Sequence, residues 1–415
     1  MQNSIEQVFA DLLQWCRLRD FAGHDPFDAL NSRVLQATHL THFRPARLIS
    51  TQLIKRSPWN LRSLARVPGQ KNSKGIALFA LASLSRYRLL KTPEAEKEAR
   101  ELLDELLRMQ IAGYSGAAWG YNFDWQSRNF FAPRGTPMMV PTAFAARALI
   151  DAYETFKDAK YLETARSSCE FVLKDLRRTV ESNEHEGELC FSYSPFDETK
   201  IFNASLFAAE TLACVGALAG ESEFRDATND LAVRAARYVV RTQHDDGSWA
   251  YGAGTGQLWV DNFHTAYVLL SLWRIMKCLR GDQIDLQPAL ERGYRFWRER
   301  FFLADGWPKY YHDKLYPADA HAAATAIIAL IELQELDSEA LPLAETIAAW
   351  IIRNLRDSRG FFYYQRRRFY TVRTPFMRWT QAWVLYALAR LLEEKHLQRE
   401  FSRSPVGPFS EDDAD

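Results

Sequence analysis

The sequence feature that most constrains the fold is a repeat of helices rich in small apolar residues, which recur at intervals of about 60 residues. In the clearest copy, the run Thr-Ala-Tyr-Val-Leu-Leu-Ser-Leu-Trp follows His264 and is apolar nearly all round. That pattern is typical of a helix buried on most sides. The six copies begin near Gly75, Pro141, Asn203, His264, His321 and Trp379.

Between the buried helices lie segments with a single apolar face. Leu290, Tyr294, Trp297 and Phe301 follow helical spacing and are separated by charged residues. Outer amphipathic helices therefore alternate with inner buried ones, and an N-terminal outer helix completes six pairs. We predict an all-α (α/α)6 toroid of six helical hairpins with a central cavity. The competing arrangement is an open solenoid, which is less favoured because small residues on every side suit crowding around an axis.

The composition is that of a globular protein with an ample core, since 47% of the 415 residues are hydrophobic and 25% are charged. The repeat is unbroken by linkers, so we predict one domain over residues 1–400, with 1–60 less regular and an acidic, disordered tail at 401–415. The formal net charge is zero, so bulk charge predicts no nucleic acid partner. No apolar run reaches the roughly 20 residues of a transmembrane segment.

Several other features bear on location and cofactors. The N-terminus lacks a basic stretch followed by an apolar one, so we predict no signal peptide. The chain has no Walker motif, dinucleotide fingerprint or nucleophile elbow. The cysteines show no metal-binding spacing, and we interpret them as reduced core thiols of a cytoplasmic protein without metal or cofactor. They are Cys16, Cys169, Cys190, Cys214 and Cys278.

Polar residues stand where several inner helices begin. Asp261 and His264 precede one of these helices, and His321 occupies the same position in the next repeat. Asn203 and Trp379 occupy it in two others. Because equivalent positions open on the same end of a ring, we expect these side chains to converge on one cavity. Titratable groups held at such a position are candidates for a site.

The predicted substrate-binding residues come from the long loop 113–140 and from the aromatic turns before other inner helices. Long loops in compact domains are often functional. Aromatic faces stack on sugar rings, and arginine binds a carboxylate with two hydrogen bonds; alternatively, the aromatic residues merely fill the ring. The set is Trp119, Tyr121, Trp125, Arg128, Arg134, Tyr193, Asn203, Trp249, Tyr251, Tyr310, Arg378 and Trp379.

These residues leave several functions open. Glycoside hydrolysis needs two carboxylates, for which Asp124 and Asp261 are the best pair. Elimination or epimerisation of a uronate needs a base and charge neutralisation, which His264, His321 and the arginines would supply. We predict those two carboxylates and two histidines as catalytic, with hydrolysis slightly ahead. A non-catalytic glycan-binding scaffold and an isoprenoid-handling toroid are the alternatives.

Helical toroids of two isoprenoid families also contain Gln-x-x-x-Gly-x-Trp turns, as in Gln243–Trp249. The protonating Asp-x-Asp-Asp motif of terpenoid cyclases is absent within the predicted fold. The segment Asp261–Tyr267 resembles the stretch that carries the zinc histidine of prenyltransferase β subunits. The other two zinc ligands have no counterpart, so zinc is not predicted.

A closer resemblance covers most of the chain. It rests on Trp119-Gly-Tyr-Asn-Phe-Asp-Trp-Gln126, Gly135-Thr-Pro with Pro141-Thr-Ala-Phe, Cys190-Phe-Ser-Tyr193, Asn203-Ala-Ser-Leu, Asp246-Gly-Ser-Trp249 and Asp261-Asn-Phe-His-Thr265. These segments resemble bacterial polysaccharide-biosynthesis proteins of the VpsJ-like group. The resemblance implies a toroid related to six-hairpin glycosidases, a glycan ligand and association with other exopolysaccharide-synthesis proteins. It implies no defined reaction.

Overall fold

A computed structural model describes residues 4–38, 40–127, 130–181, 187–279 and 286–403. Its secondary structure consists mainly of helices. In chain order they are α1 (Ile5–Arg17), α2 (Arg33–Ala37), α3 (Arg44–Arg56), α4 (Ser73–Leu90), α5 (Pro93–Arg108), α6 (Met139–Phe156), α7 (Ala159–Lys174), α8 (Phe202–Leu218), α9 (Ser222–Arg241), α10 (Asn262–Leu279), α11 (Gln287–Phe301), α12 (Ala320–Glu332), α13 (Ala340–Leu355) and α14 (Trp383–Arg403), with a π-helical segment, Met377–Ala382, directly before α14.

The inner helices form a closed ring. Helices α4, α6, α8, α10, α12 and α14 pack on one another in that order, and α14 packs back on α4. The outer helices α1, α5, α7, α9, α11 and α13 each pack on an inner helix. The predicted (α/α)6 toroid is therefore confirmed, and the open solenoid is wrong because the first and last inner helices touch. Five of the six predicted inner-helix starts lie within two residues of the observed ones, and the sixth, Trp379, lies in the π-helical segment directly before α14.

Burial follows the sequence patterns that separate the two layers. Helix α8 is buried along nearly its whole length, including Ala204, Ala208 and Ala209. Helix α5 buries one stripe that contains Ala99 and Leu103, while its glutamates face outward. Helices that bury every side must carry small residues to approach the axis, whereas an outer helix needs only one apolar face.

Two predicted substrate-binding tryptophans instead hold the layers together. The Trp119 indole donates a hydrogen bond to the carbonyl of Leu106 (2.8 Å), and the Trp249 indole donates to that of Val239 (2.9 Å). Both indoles are buried and satisfy carbonyl groups near the end of an outer helix. Neither lines the central cavity, which corrects the prediction that they bind substrate.

Short antiparallel hairpins precede several inner helices and gather at one end of the ring. Three small sheets are present among the described residues. They consist of β1 (Trp125–Gln126) with β2 (Phe131–Ala132), β3 (Arg178–Val180) with β4 (Leu189–Phe191), and the sheet of β5 (Lys309–Tyr311), β6 (Lys314–Asp319), β7 (Gln365–Arg366) and β8 (Thr371–Val372) in that order.

Near the opposite ends of the inner helices lies a network of buried ion pairs. Glu210 on α8 binds Arg147 on α6 at 2.6 Å and Arg274 on α10 at 3.0 Å. Arg274 also pairs with Glu332 on α12 at 2.5 Å. The network therefore links four consecutive inner helices through charge-assisted hydrogen bonds.

The cysteine prediction is wrong for one pair. Cys214 on α8 and Cys278 on α10 form a disulfide with their Cα atoms 5.2 Å apart. Their separation of 64 residues approximates one repeat and brings them together on adjacent inner helices. Cys16, Cys169 and Cys190 are buried thiols, and burial raises the pKa of each. The cysteines therefore no longer support a reducing compartment.

Among the described residues, no helix is both long and apolar enough to cross a membrane. The assignment of one domain to residues 1–400 stays a prediction. Most of the predicted tail, 404–415, lies outside the described residues.

Candidate active site

The ring opens into a cavity of about 740 Å³ at the end where the inner helices begin. That volume falls within the range of small-molecule binding sites. Aromatic side chains dominate its wall: Phe27, Tyr121, Phe123, Trp125, Phe130, Tyr193, Tyr251, Trp259, Phe263, Tyr267, Tyr310, Tyr311, Tyr364 and Trp379.

The equivalent positions of successive repeats meet at this cavity. Asn203, His264, His321 and Trp379 all line it. The Oδ1 atom of Asn203 and the indole nitrogen of Trp379 are buried without a hydrogen-bond partner among the described residues. Buried polar atoms are normally satisfied, so both groups are suited to contact a ligand. The predicted binding residues Tyr121, Trp125, Tyr193, Tyr251, Tyr310 and Arg378 also line the cavity.

The expected pair of carboxylates does not face the cavity. Asp124 accepts a hydrogen bond from the backbone N–H of Arg134 (2.7 Å) and so closes its own loop. Neither residue lines the cavity, and Arg134 is exposed. Arg128 lies outside the described residues. Among the described residues that line the cavity, Asp313 on the turn between β5 and β6 is the only carboxylate.

Asp261 and His264 form a dyad at the start of α10. One carboxylate oxygen of Asp261 lies 2.7 Å from Nδ1 of His264, and the other accepts the backbone N–H of His264 at 3.0 Å. The Asp261 side chain is buried, whereas that of His264 is 20% exposed. A carboxylate at Nδ1 favours the tautomer with its proton on that atom and leaves Nε2 able to accept a proton.

His321 lies in a different chain of hydrogen bonds. Its Nε2 atom is 2.7 Å from the Tyr267 hydroxyl, which lies 3.4 Å from Nζ of Lys74. With Lys74 donating to Tyr267, and Tyr267 donating to His321, the imidazole proton resides on Nδ1. That atom is buried without a partner among the described residues. Burial, assisted by the positive charges of Lys74 and Arg378, lowers the pKa of His321 well below its ordinary value.

Both histidines contact the same aromatic ring. The Phe263 ring centroid lies 4.0 Å from that of His264 and 4.6 Å from that of His321. The two imidazoles therefore flank Phe263 on one wall of the cavity, and they have different hydrogen-bond partners.

Lys55 and Lys74 line the cavity but were not among the predicted site residues. Lys74 is buried at the start of α4, with its Nζ atom 4.2 Å from the centroid of Phe144 and no carboxylate partner among the described residues. Burial, with Arg378 and Arg147 adding like charge, lowers the pKa of Lys74 well below its ordinary value. Lys55 packs on Phe27 at 4.1 Å, and burial lowers its pKa to about 8. A bound anion would stabilise the charged form of either amine.

The predicted cation Arg378 is already neutralised. It lies in the π-helical segment before α14, and two of its nitrogens bind the carboxylate of Asp25 at 2.6 and 2.8 Å. Such segments are rare and often occur at functional sites. Because Asp25 compensates its charge, Arg378 positions the wall of the cavity more than it attracts an anion. The other basic residues of the lining are Lys55, Arg56, Lys74, Lys314 and Arg367.

A further buried carboxylate, Asp319, caps α12 just before His321. Its Oδ1 atom accepts the backbone N–H groups of His321 (2.9 Å) and Ala322 (3.3 Å). Burial raises its pKa to about 6. Asp319 fixes the backbone that carries His321, as an N-cap does.

No protein-family model and no curated protein sequence matches the chain. Solved structures do match its fold. Cellobiose 2-epimerase from Bacillus thermoamylovorans is 13% identical, with a TM-score of 0.59 over 80% of this chain and 90% of that one. A GH76 α-mannanase from Bacteroides thetaiotaomicron is 13% identical, with a TM-score of 0.59 over 79% and 87%. An unsaturated glucuronyl hydrolase specific for heparin is 16% identical, with a TM-score of 0.55 over 78% and 86%. At these identities the likeness establishes the toroid alone.

Among the described residues, no group of three histidine, cysteine or acidic side chains is placed to hold a metal ion. The absence of a metal or cofactor from the reaction stays a prediction.

Proposed function

We propose that the protein is a carbohydrate-processing enzyme that moves a proton at the carbon next to the carboxylate of an acidic saccharide, in an epimerisation or an elimination. The observation that carries this proposal is the pair of differently partnered histidines, His264 and His321, beside Lys55 and Lys74 in one cavity. The names of the epimerase, mannanase and glucuronyl hydrolase with the same fold support carbohydrate processing. Their low identity leaves the reaction to be argued from the site.

In the proposed reaction His264 is the base. Its Nε2 atom takes the proton from the carbon next to the carboxylate, and Asp261 stabilises the imidazolium that forms. The electron pair of the broken C–H bond moves into the carboxylate, whose added negative charge Lys55 and Lys74 stabilise in the apolar cavity.

The second histidine completes the reaction. For an epimerisation, Nδ1–H of His321 gives a proton to the opposite face of the same carbon while Nε2 takes the proton of the Tyr267 hydroxyl, which takes one from the Lys74 ammonium. Exchange with solvent then removes the proton that His264 gained and returns one to this chain. For an elimination, the electron pair instead forms a double bond to the adjacent carbon, and the bond from that carbon to the glycosidic oxygen breaks. The released oxygen takes the proton from Nδ1–H of His321. Both routes use two histidines that have different hydrogen-bond partners.

Hydrolysis, which the sequence favoured slightly, fits the site less well. It requires two carboxylates, one on each side of the glycosidic bond. Among the described residues that line the cavity, Asp313 is the only carboxylate. An isoprenoid-handling role fits less well too, because Lys55, which is charged below its pKa of about 8 and packs on Phe27, would repel a carbocation. A non-catalytic glycan-binding protein would use the same cavity without turnover.

The biological setting rests on the sequence resemblance alone. The VpsJ-like segments support a role in polysaccharide biosynthesis and association with other synthesis proteins. Product analysis by NMR after incubation with uronate-containing oligosaccharides tests the function. An inverted stereocentre or an unsaturated uronate would support the proposal. New saturated reducing ends would indicate hydrolysis, and binding without a product would indicate the scaffold.

We expect the affinity for acidic saccharides to depend on the protonation of Lys55. Its pKa of about 8 means that it is charged below that pH and neutral above it. Raising the pH from about 7 to about 9 should therefore weaken binding of an acidic saccharide, on the order of tenfold. Calorimetry on the wild type and on Lys55→Met measures this change. The variant should bind weakly at both pH values, and a neutral saccharide serves as the control. An unchanged pH response in Lys55→Met would refute the assignment.

A further inference from the structure

The cavity mouth is bordered by a surface that is both apolar and basic. We define this mouth surface as Phe43, α3, the following segment 57–66 and residues 367–373, which run from the turn between β7 and β8 to Arg373. Its large apolar side chains project into solvent, with Trp59 76%, Leu64 81% and Phe369 86% exposed. The other large apolar residues that are more than half exposed on α3 and directly before it are Phe43, Ile49 and Leu53.

The charged residues of the mouth surface are basic only. No aspartate or glutamate occurs between Asp28 and Glu94, or between Asp357 and Glu393, although the whole chain has as many acidic as basic residues. These two segments supply the mouth surface. Its exposed basic residues are Arg44, Arg56, Arg66, Arg368 and Arg373.

Contacts between the parts make the mouth surface one continuous feature. The Tyr370 hydroxyl donates to the backbone carbonyl of Arg56 at 3.2 Å and so joins the β7–β8 turn to the end of α3. Segment 57–66 is anchored by buried Arg62, whose guanidinium binds the carboxylate of Asp28 at 2.7 Å. Arg62 therefore supports the surface from inside.

We propose that the mouth surface docks the protein peripherally on an anionic lipid bilayer. Exposed tryptophan, leucine and phenylalanine side chains fit the boundary between headgroups and acyl chains, and arginines fit the anionic headgroups. A nucleic acid would account for the charge but not for the exposed apolar side chains. Lys55 and Arg56 on α3 also line the cavity, so docking places the cavity mouth next to the lipid surface. This inference does not depend on the reaction proposed above.

Vesicle flotation with the full chain tests the proposal. The probes are vesicles of phosphatidylcholine alone and of phosphatidylcholine mixed with phosphatidylglycerol. We expect flotation with the anionic vesicles only, weakened by salt. The triple variant Leu53→Glu, Trp59→Glu and Phe369→Glu should bind at least about tenfold more weakly, as should Arg66→Glu, Arg368→Glu and Arg373→Glu. None of these six residues lines the cavity.

Leu90→Glu is the matched control. Leu90 is also an exposed leucine, but it lies at the C-terminal end of α4, whereas the cavity lies at the end where the inner helices begin. It should float like the wild type, and thermal melts of all variants check folding. Absence of wild-type flotation would overturn the proposal. Undiminished flotation of the apolar triple variant would also overturn it. So would a wild type that does not bind vesicles but forms dimers through this surface or binds nucleic acid.

Discussion

Replacing His264 with alanine should lower kcat by a factor on the order of 10²–10⁴ while the protein stays folded, which is the range for loss of a general base. His264 lines the cavity and is only partly buried. Its removal leaves the buried Asp261 carboxylate with hydrogen bonds from the Trp259 indole (2.9 Å) and from the backbone N–H of residue 264 (3.0 Å). The measurement is steady-state kinetics on the acidic saccharide identified by product analysis. KM should change much less than kcat, because the imidazole acts mainly in the transition state.

His244→Ala is the matched control for this variant. His244 lies in the turn after α9, where its Nδ1 atom is 2.9 Å from the Ser248 hydroxyl, and it does not line the cavity. It should keep nearly full activity. Equal losses in His244→Ala and His264→Ala would mean that the effect is structural. Full activity of His264→Ala would remove it from the mechanism.

Replacing Glu210 with alanine should lower the free energy of unfolding by about 3–5 kcal/mol, because it leaves two largely buried arginines without their shared partner. Glu210 binds Arg147 and Arg274 and also accepts the Ser271 hydroxyl at 2.7 Å. Burial alone would raise the pKa of Glu210, but the two guanidinium groups lower it below its ordinary value. Chemical denaturation at neutral pH measures the loss.

The lowered pKa of Glu210 also determines how its contribution to the free energy of unfolding depends on pH. The carboxylate stabilises the fold above the pKa that glutamate has in the unfolded chain, and this stabilisation disappears as the pH falls through the lower folded-state pKa. The difference between wild type and Glu210→Ala should therefore shrink in acid. Glu335→Ala is the control, since Glu335 pairs with Lys277 on the exposed surface, and it should cost about 1 kcal/mol or less. Equal losses in the two variants would contradict a special role for the buried network.

The repeat of apolar segments predicted the fold well because the sequence of each inner helix indicates, on its own, that the helix is buried. The small residues after His321 specify a helix that is buried on every side, and α12 is such a helix. Ring closure depends on the contact between α4 and α14, which joins opposite ends of the chain and leaves no local signal. The pairing of Cys214 with Cys278 was missed for the same reason, because it requires the register of two neighbouring repeats.

The site was predicted in part. Equivalent positions in successive repeats correctly brought His264 and His321 to one cavity. The aromatic turns were ambiguous, because a tryptophan such as Trp249 has the same sequence context whether it caps an outer helix or faces a ligand. Lys74 was passed over because a lysine between Asn72 and a helix resembles an exposed residue. Only its position on an inner helix shows that it is buried without a carboxylate partner.

Exchange of hydrogen between solvent and substrate tests the proposed proton transfer most directly. The enzyme is incubated with the acidic saccharide in D₂O, and deuterium at the carbon next to the carboxylate is followed by NMR. Wild type should introduce deuterium at that carbon or release an unsaturated product, and His264→Ala should do so at a rate lower by the same large factor as its kcat. A saccharide that binds in the cavity, yet keeps its hydrogen at that carbon and remains unchanged with the wild-type protein, would contradict the proposed chemistry.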